Sequence, residues 1–213
     1  MSHPARRILR VAAPDPPRCG GCSRRGAVRQ GIIGLRRPLF ALKATSPQAI
    51  YYRTDSHWNN IGWLALIEQA LPPLSPRVRV QPSEIVNTGN ARFSGDLLVL
   101  LGQSGSELAP TRAIRRAPGA PVVPGRTVMI GDSCARTGFA QVHPYFSSIS
   151  LIEWTESTLK QQIDGIVGAR NVVLETVERE VDFRASNMGY VNPPFIALVR
   201  SALAAHPLPR GGR

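Results

Sequence analysis

The stretch from Thr127 to Trp154, TVMIGDSCARTGFAQVHPYFSSISLIEW, decides how the chain is read. TVMIGD is a short apolar run closed by Gly131 and Asp132, the pattern of a strand buried on both faces. SISLIEW, from Ser148, reads as a second strand, and NVVLETV, from Asn171, as a third. Between them ARTGFAQVHPYF and STLKQQIDGIVG carry helical spacing. Strand, helix, strand, helix, strand predicts a parallel sheet with right-handed crossovers, so the expected fold class is α/β. A last helix is expected over PPFIALVRSALAA, after Pro193 and Pro194 open it.

Working outward, IGWLALIEQAL (Ile61–Leu71) places apolar residues on one helical face, with Asn59 or Asn60 as the cap and PPLSP as the stop. The middle of the chain, through FSGDLLVLLGQ and RRAPGAPVVPG, reads as loop-rich. Residues 1–30 are rich in Pro, Gly and Arg without apolar periodicity and read as a disordered basic tail. The domain is expected to span 31–206, with a short tail over 207–213. A chain of 213 residues, 43% hydrophobic, is enough for one good core.

The formal charge of +12 raises the question of nucleic acid, and its distribution answers it. Residues 1–37 hold nine arginines against Asp15 alone, whereas 38–199 carry fourteen basic and thirteen acidic groups. No basic stripe with interleaved aromatics crosses the folded part, so no specific nucleic-acid partner is expected. No run reaches the ~20 apolar residues of a membrane span. MSHPARRILRVAAPDPP has no apolar h-region, so no signal peptide is visible and the chain as written would stay in the cytoplasm. Cys19 and Cys22 form a C-G-G-C turn that resembles half a zinc ribbon, but no second pair follows at ligand spacing, so no metal and no other cofactor is expected.

Two short motifs carry chemistry. In YYRTDSHWNNIGW (Tyr51–Trp63), Asp55 and His57 stand two apart. In an extended segment such residues project to one side, which lets the carboxylate meet the imidazole Nδ1. The pair is compatible with a general base and its orienting acid, with two ligands of a metal, or with a surface accident. In MIGDSCARTGF (Met129–Phe139) a strand ends at Gly131-Asp132-Ser133 and a helix follows. Ser133 then stands at the carboxyl end of a parallel strand and at a helix N-terminus, where sites in open sheets lie and where an oxyanion is stabilised. The bland alternative is that Ser133 or Asp132 only caps the helix. Cys134 reads as a small buried thiol more readily than as a reactive one.

Taken in order, YYRTDSHWNNIGW, RFSGDL, MIGDSCARTGF and VVLETVEREV resemble the SGNH-hydrolase-like domain of the alginate O-acetyltransferases of the AlgX and AlgJ type, over roughly residues 31–184. The resemblance implies a three-layer SGNH-like domain with a parallel sheet, in which Ser133 is the nucleophile, His57 the general base and acid, and Asp55 the orienting carboxylate. It also implies that Trp58 packs beside the histidine, and that Trp58, Arg136, Glu175 and Arg179 belong to the substrate side of the site. An ion pair anchoring the strand end is the structural alternative for Glu175 and Arg179. The family's βα stretch ahead of the Asp-x-His segment is replaced here by the arginine-rich tail, so the domain is expected to be shortened at its N-terminus. The implied activity is acetyl transfer to an exopolysaccharide, with a polysaccharide acceptor, a donor fed by a membrane O-acyltransferase, and a periplasmic or cell-envelope location. A carbohydrate esterase with the same triad and an inactive glycan-binding scaffold subunit are the rival expectations.

Overall fold

The computed structural model describes residues 50–176 and 193–206. The expected tails over 1–30 and 207–213, the Cys19–Cys22 turn and Arg179 lie outside the described residues.

Three strands form a parallel sheet: β3 (Val123–Gly131), β4 (Phe146–Glu153) and β5 (Asn171–Leu174), in the order β4-β3-β5. Two earlier strands, β1 (Ile85–Phe93) and β2 (Glu107–Ile114), pair antiparallel in a separate two-stranded sheet. The helices are α1 (Asn60–Leu74), α2 (Asp96–Leu100), α3 (Ser133–Val142), α4 (Leu159–Val167) and α5 (Pro193–Ala205). The fold is thus mixed α/β with a parallel sheet, as the strand and helix alternation predicts.

Burial explains why β3 is central. Thr127 to Gly131 are all buried, because alternate residues feed two cores. Val128 and Ile130 pack with Trp154, Ile166 and Phe195 on the side of α4 and α5. Met129 packs with Trp63, Ile67, Ala135 and Tyr145 on the side of α1 and α3. Covering both faces of a parallel strand removes its backbone polar groups and side chains from water together, and this is the condition under which parallel sheets occur. Since β4 and β5 flank β3 on opposite sides, the chain reverses its winding at the carboxyl end of β3. That switch point is where a crevice opens in doubly wound sheets.

The α1–α3 contact is close. A Cβ on Gly138 of α3 would stand 1.9 Å from Cδ2 and Cε2 of Trp63, so the indole lies directly on the helix backbone. Trp63 is 1% exposed there and forms the centre of the larger core.

Two expectations are corrected. The middle is not a run of loops: it folds into the β1–β2 ribbon and the short helix α2. Most of β1 is solvent-exposed on both faces, so the apolar alternation that signals a half-buried strand is missing from its sequence. Helix α1 also does not stop at Leu71 but runs through Pro72 and Pro73 to Leu74. Proline's fixed φ is itself helical, so the last turn can hold both residues, at the cost of two amide donors and of crowding against the carbonyls one turn back. Ser75 closes the helix by donating its N–H to the Leu71 carbonyl at 2.8 Å.

Candidate active site

The site is assembled from two short segments. The first is the loop 51–58, closed at its base by an isolated antiparallel bridge between Tyr51 and Trp58. Within it the backbone bends instead of running extended, and the expected side-by-side projection of Asp55 and His57 is replaced by a turn. Asp55 Oδ1 accepts the His57 backbone N–H at 2.6 Å, the Asx-turn geometry, and also meets the His57 ring at Nδ1. One carboxylate oxygen therefore fixes both the loop and the imidazole. The second oxygen, Oδ2, accepts the backbone N–H of Asp96 at 2.9 Å.

The second segment is the turn from β3 into α3. Asp132 is the N-cap: its Oδ1 accepts the Cys134 N–H at 2.7 Å. Of the two candidate capping groups the aspartate takes the amide, and the Ser133 hydroxyl lies 2.9 Å from His57 Nε2. With Asp55 accepting at Nδ1, the ring nitrogen facing Ser133 is the one that lacks the proton. Asp55, His57 and Ser133 are thus joined in one hydrogen-bonded chain across 76 residues of sequence. Asp55 is buried, His57 is 15% exposed, and Ser133 is half-buried, so exposure rises along the line from the carboxylate toward the serine.

The loop is braced from outside by side chains that sequence reading passed over. The Thr54 backbone N–H and hydroxyl both donate to Glu107 Oε1, at 2.8 and 2.7 Å. The Ser56 backbone N–H and hydroxyl donate to Asp96, at 2.7 and 2.5 Å. Burial pushes the Glu107 carboxyl up, but the hydrogen bonds from Thr54, joined by the Arg53 backbone, outweigh it and hold the group below the ordinary carboxylate range. Tyr52 stacks on Phe93 with ring centroids 4.1 Å apart, and burial, followed by the charges of Asp55 and Glu107, raises its phenol. Between this loop and β2 a cleft of about 350 Å³ is lined by Tyr51, Arg53, Asn59, Leu108 and Arg112, among others. Gly95 makes the bracing possible: a Cβ there would stand 1.9 Å from the Thr54 carbonyl oxygen and 2.6 Å from Asp55 Cβ. RFSGDL contained this signal, since a glycine before an aspartate permits such an approach, but nothing local says what is approached.

The residues expected on the substrate side separate. Arg136, one turn beyond Ser133 on α3, is 62% exposed and pairs with Glu153 at 3.1 Å, at the rim. Trp58 is corrected to a core residue: it is 5% exposed and meets Trp63 with ring centroids 5.3 Å apart, so it supports the histidine segment from within and presents no groove. The physical reason is the Tyr51–Trp58 bridge, which turns the indole inward beneath α1. Glu175 is likewise buried, just past β5, and a Cβ on Gly131 would stand 2.8 Å from its Oε2, which places it beneath the β3–α3 turn and not in an acceptor groove.

Among the described residues, two groups have ligand-type atoms within 4.8 Å of one another: Asp55, His57 and Asp96, and Asp132, Cys134 and Glu175. In the first, Asp55 and Asp96 already accept the donors described above, and an ion would have to displace them. The second is wholly buried under the turn. Among the described residues no helix is long and apolar enough to cross a membrane. No protein-family model matches the chain, and no curated protein matches it.

Proposed function

We propose that the protein is an SGNH-like, serine-dependent O-acetyltransferase that passes an acetyl group from an activated donor to a polysaccharide hydroxyl, by way of an acetyl-serine at Ser133. The observation that carries this reading is the 2.9 Å contact between His57 Nε2 and Ser133 Oγ at the carboxyl end of β3, backed by Asp55. A serine hydroxyl is a weak nucleophile, and the arrangement supplies what it lacks: a neutral imidazole to take the proton and a buried carboxylate to fix the tautomer and stabilise the imidazolium.

In the first half-reaction Ser133 Oγ attacks the acetyl carbonyl carbon while its proton passes to His57 Nε2. The charge that builds on the carbonyl oxygen is favoured by the N-terminal end of α3. Collapse expels the donor's leaving group, which takes the proton back from His57. In the second half a sugar hydroxyl gives its proton to His57 Nε2 and attacks the acetyl-serine, and on collapse the acetyl ester forms while Ser133 Oγ departs and takes that proton back from His57. The resemblance carries the choice of polysaccharide acceptor, of a donor supplied by a membrane O-acyltransferase, and of an envelope location.

The experiment is incubation with an activated acetyl ester followed by peptide mass spectrometry. An acetyl group is expected on Ser133 and none on Ser133→Ala. A transferase discharges it faster to an oligosaccharide than to water, because acceptor binding supplies the orientation in advance. Discharge to water without acceptor preference identifies an esterase instead. A folded protein that forms no adduct but retains polysaccharide would be a scaffold, and the catalytic reading would be wrong.

A further inference from the structure

We infer that Glu107 is a positioning residue for His57: delivered by the β1–β2 ribbon, its carboxylate sets the loop 51–58 where the imidazole can meet Ser133. The inference rests on the proposed role of His57 as base, and deepens it. Its starting point is the register of the ribbon. Phe93, the last residue of β1, and Glu107, the first of β2, stand directly opposite each other. Side chains opposed in an antiparallel pair project to one face, and here both meet the loop. Phe93 stacks on Tyr52 with ring centroids 4.1 Å apart and planes 17° from parallel. Glu107 Oε1 accepts the Thr54 N–H at 2.8 Å and the Thr54 hydroxyl at 2.7 Å. One rung of the ribbon thus holds Tyr52 and Thr54, and Asp55 follows at once in the chain.

The other end of the ribbon is fixed to the core. Glu84 stands just before β1 and Arg115 and Arg116 just after β2, and the Arg115 N–H donates to the Glu84 carbonyl at 2.8 Å. Arg116 Nε lies 3.4 Å from Glu84 Oε1, and its guanidinium lies 4.4 Å from the ring centroid of Tyr145, whose hydroxyl donates to Glu84 Oε2 at 3.4 Å. Tyr145 shares a core with Met129 of β3 and with Cys134 and Ala135 of α3. The ribbon therefore starts from the core that carries the serine and ends on the loop that carries the histidine. At that end the Thr54 peptides are tied on both sides, the N–H to Glu107 and the carbonyl to the Leu97 N–H at 3.1 Å. A carboxylate that takes both donors of Thr54 fixes its backbone direction and its side-chain rotamer together, and with them the point from which Asp55 and His57 set out.

The test separates reach from charge. Wild type, Glu107→Ala, Glu107→Asp and Glu107→Gln are compared by rapid-quench acetylation of Ser133 and by hydrogen exchange of the loop amides, well below the melting temperature of each. Glu107→Ala is expected to slow acetylation about 10- to 100-fold, the scale of a misplacement of about 1 Å, and to speed exchange at Thr54 and His57. Glu107→Asp keeps the charge but withdraws the acceptor by one methylene, and is expected to lose nearly as much. Glu107→Gln keeps the reach and an acceptor oxygen, and is expected to stay within about fivefold of wild type. Adding Thr54→Ala to Glu107→Ala should slow the reaction no further, because the hydroxyl it removes has already lost its acceptor. Wild-type acetylation in a folded Glu107→Ala overturns the inference, and so does an active Glu107→Asp beside an impaired Glu107→Gln, which would make the charge and not the position decisive. If Glu107→Ala does not fold, the Asp and Gln variants carry the same decision. If the wild type forms no acetyl-serine, the catalytic reading fails separately, and exchange at Thr54 and His57 decides whether Glu107 sets the loop: protection unchanged in the Ala or Asp variant overturns it.

Discussion

Asp55 grips His57 twice with one oxygen, through the backbone amide and through the ring, and gives its other oxygen to a second peptide N–H. An amide side chain cannot reproduce this. In Asp55→Asn, the oxygen can serve His57 or it can serve the Asp96 N–H, and the –NH₂ then confronts a donor on the other side. Turned toward the ring, that –NH₂ forces the imidazole proton onto Nε2, where it faces Ser133 and cannot accept from it. Acyl-enzyme formation is expected to fall by up to about 10⁴-fold, the scale of the same substitution in serine proteases. The near-ultraviolet circular dichroism should stay native, and rapid-quench acylation measures the rate.

The contact between Gly138 and Trp63 predicts a stability effect remote from the chemistry. Gly138→Ala adds a Cβ that would overlap the indole, and neither helix can retreat without opening the core around Met129 and Tyr145. The expected loss is about 1–3 kcal/mol, the usual cost of overpacking, despite alanine's better helix propensity. Urea unfolding reads it as a lower midpoint at unchanged slope.

Tyr145 predicts an alkaline limb. Its phenol is fully buried between Glu84 and the Arg116 guanidinium, which lies 4.4 Å above the ring. Burial and the Glu84 charge push it up to about 12 from 10.0, against the partial pull of Arg116. A raised folded value means the native state holds its proton more tightly than the unfolded chain. The resulting stability is complete below pH 10 and drains away between about 10 and 12 as the unfolded chain ionises. Comparing Tyr145→Phe with the wild type by urea unfolding across that window should show the wild type losing stability faster.

The short helix α2 predicts a solubility effect. Val99 and Leu100 are 75% and 77% exposed, and Leu101, just past the helix, 71%. Apolar side chains in that state contribute little to folding. The pair Val99→Gln and Leu100→Gln is expected to change stability by less than about 0.5 kcal/mol while raising the concentration at which light scattering first reports self-association.

The parallel sheet was legible because β3 is buried on both faces and writes itself as an apolar run. The start of α3 was legible because its cap, Asp132, is local, whereas its end at Val142 was not, and the expected helix over ARTGFAQVHPYF ran on into the first residue of β4. The β1–β2 ribbon was not, since its residues are chosen by solvent on both sides and carry no period. Asp55, His57 and Ser133 could be named from two motifs, but their geometry could not: the loop uses an Asx turn where two-residue spacing suggested an extended strand. Asp96 and Glu107 escaped altogether. Each reaches the loop across 40 or more residues, and at that range an acidic residue in sequence looks like any solvated one. Trp58, beside a catalytic candidate in sequence, is buried against Trp63 in space, and adjacency to His57 carries no sign of that burial.

The loop of Thr54, Asp55, Ser56 and His57 divides its side chains by position. Thr54 and Ser56 turn to Glu107 and Asp96, while Asp55 and His57 make the line that ends at Ser133. Surface loops are ordinarily where a protein accepts insertions and deletions. This one has no such latitude, because removing or adding a single residue would break the Asx turn by which Asp55 Oδ1 holds both the amide and the ring of His57. Variation in chain length among active descendants of this sequence should therefore fall elsewhere, in the tip between α2 and β2 or at Gly119, and spare these four positions.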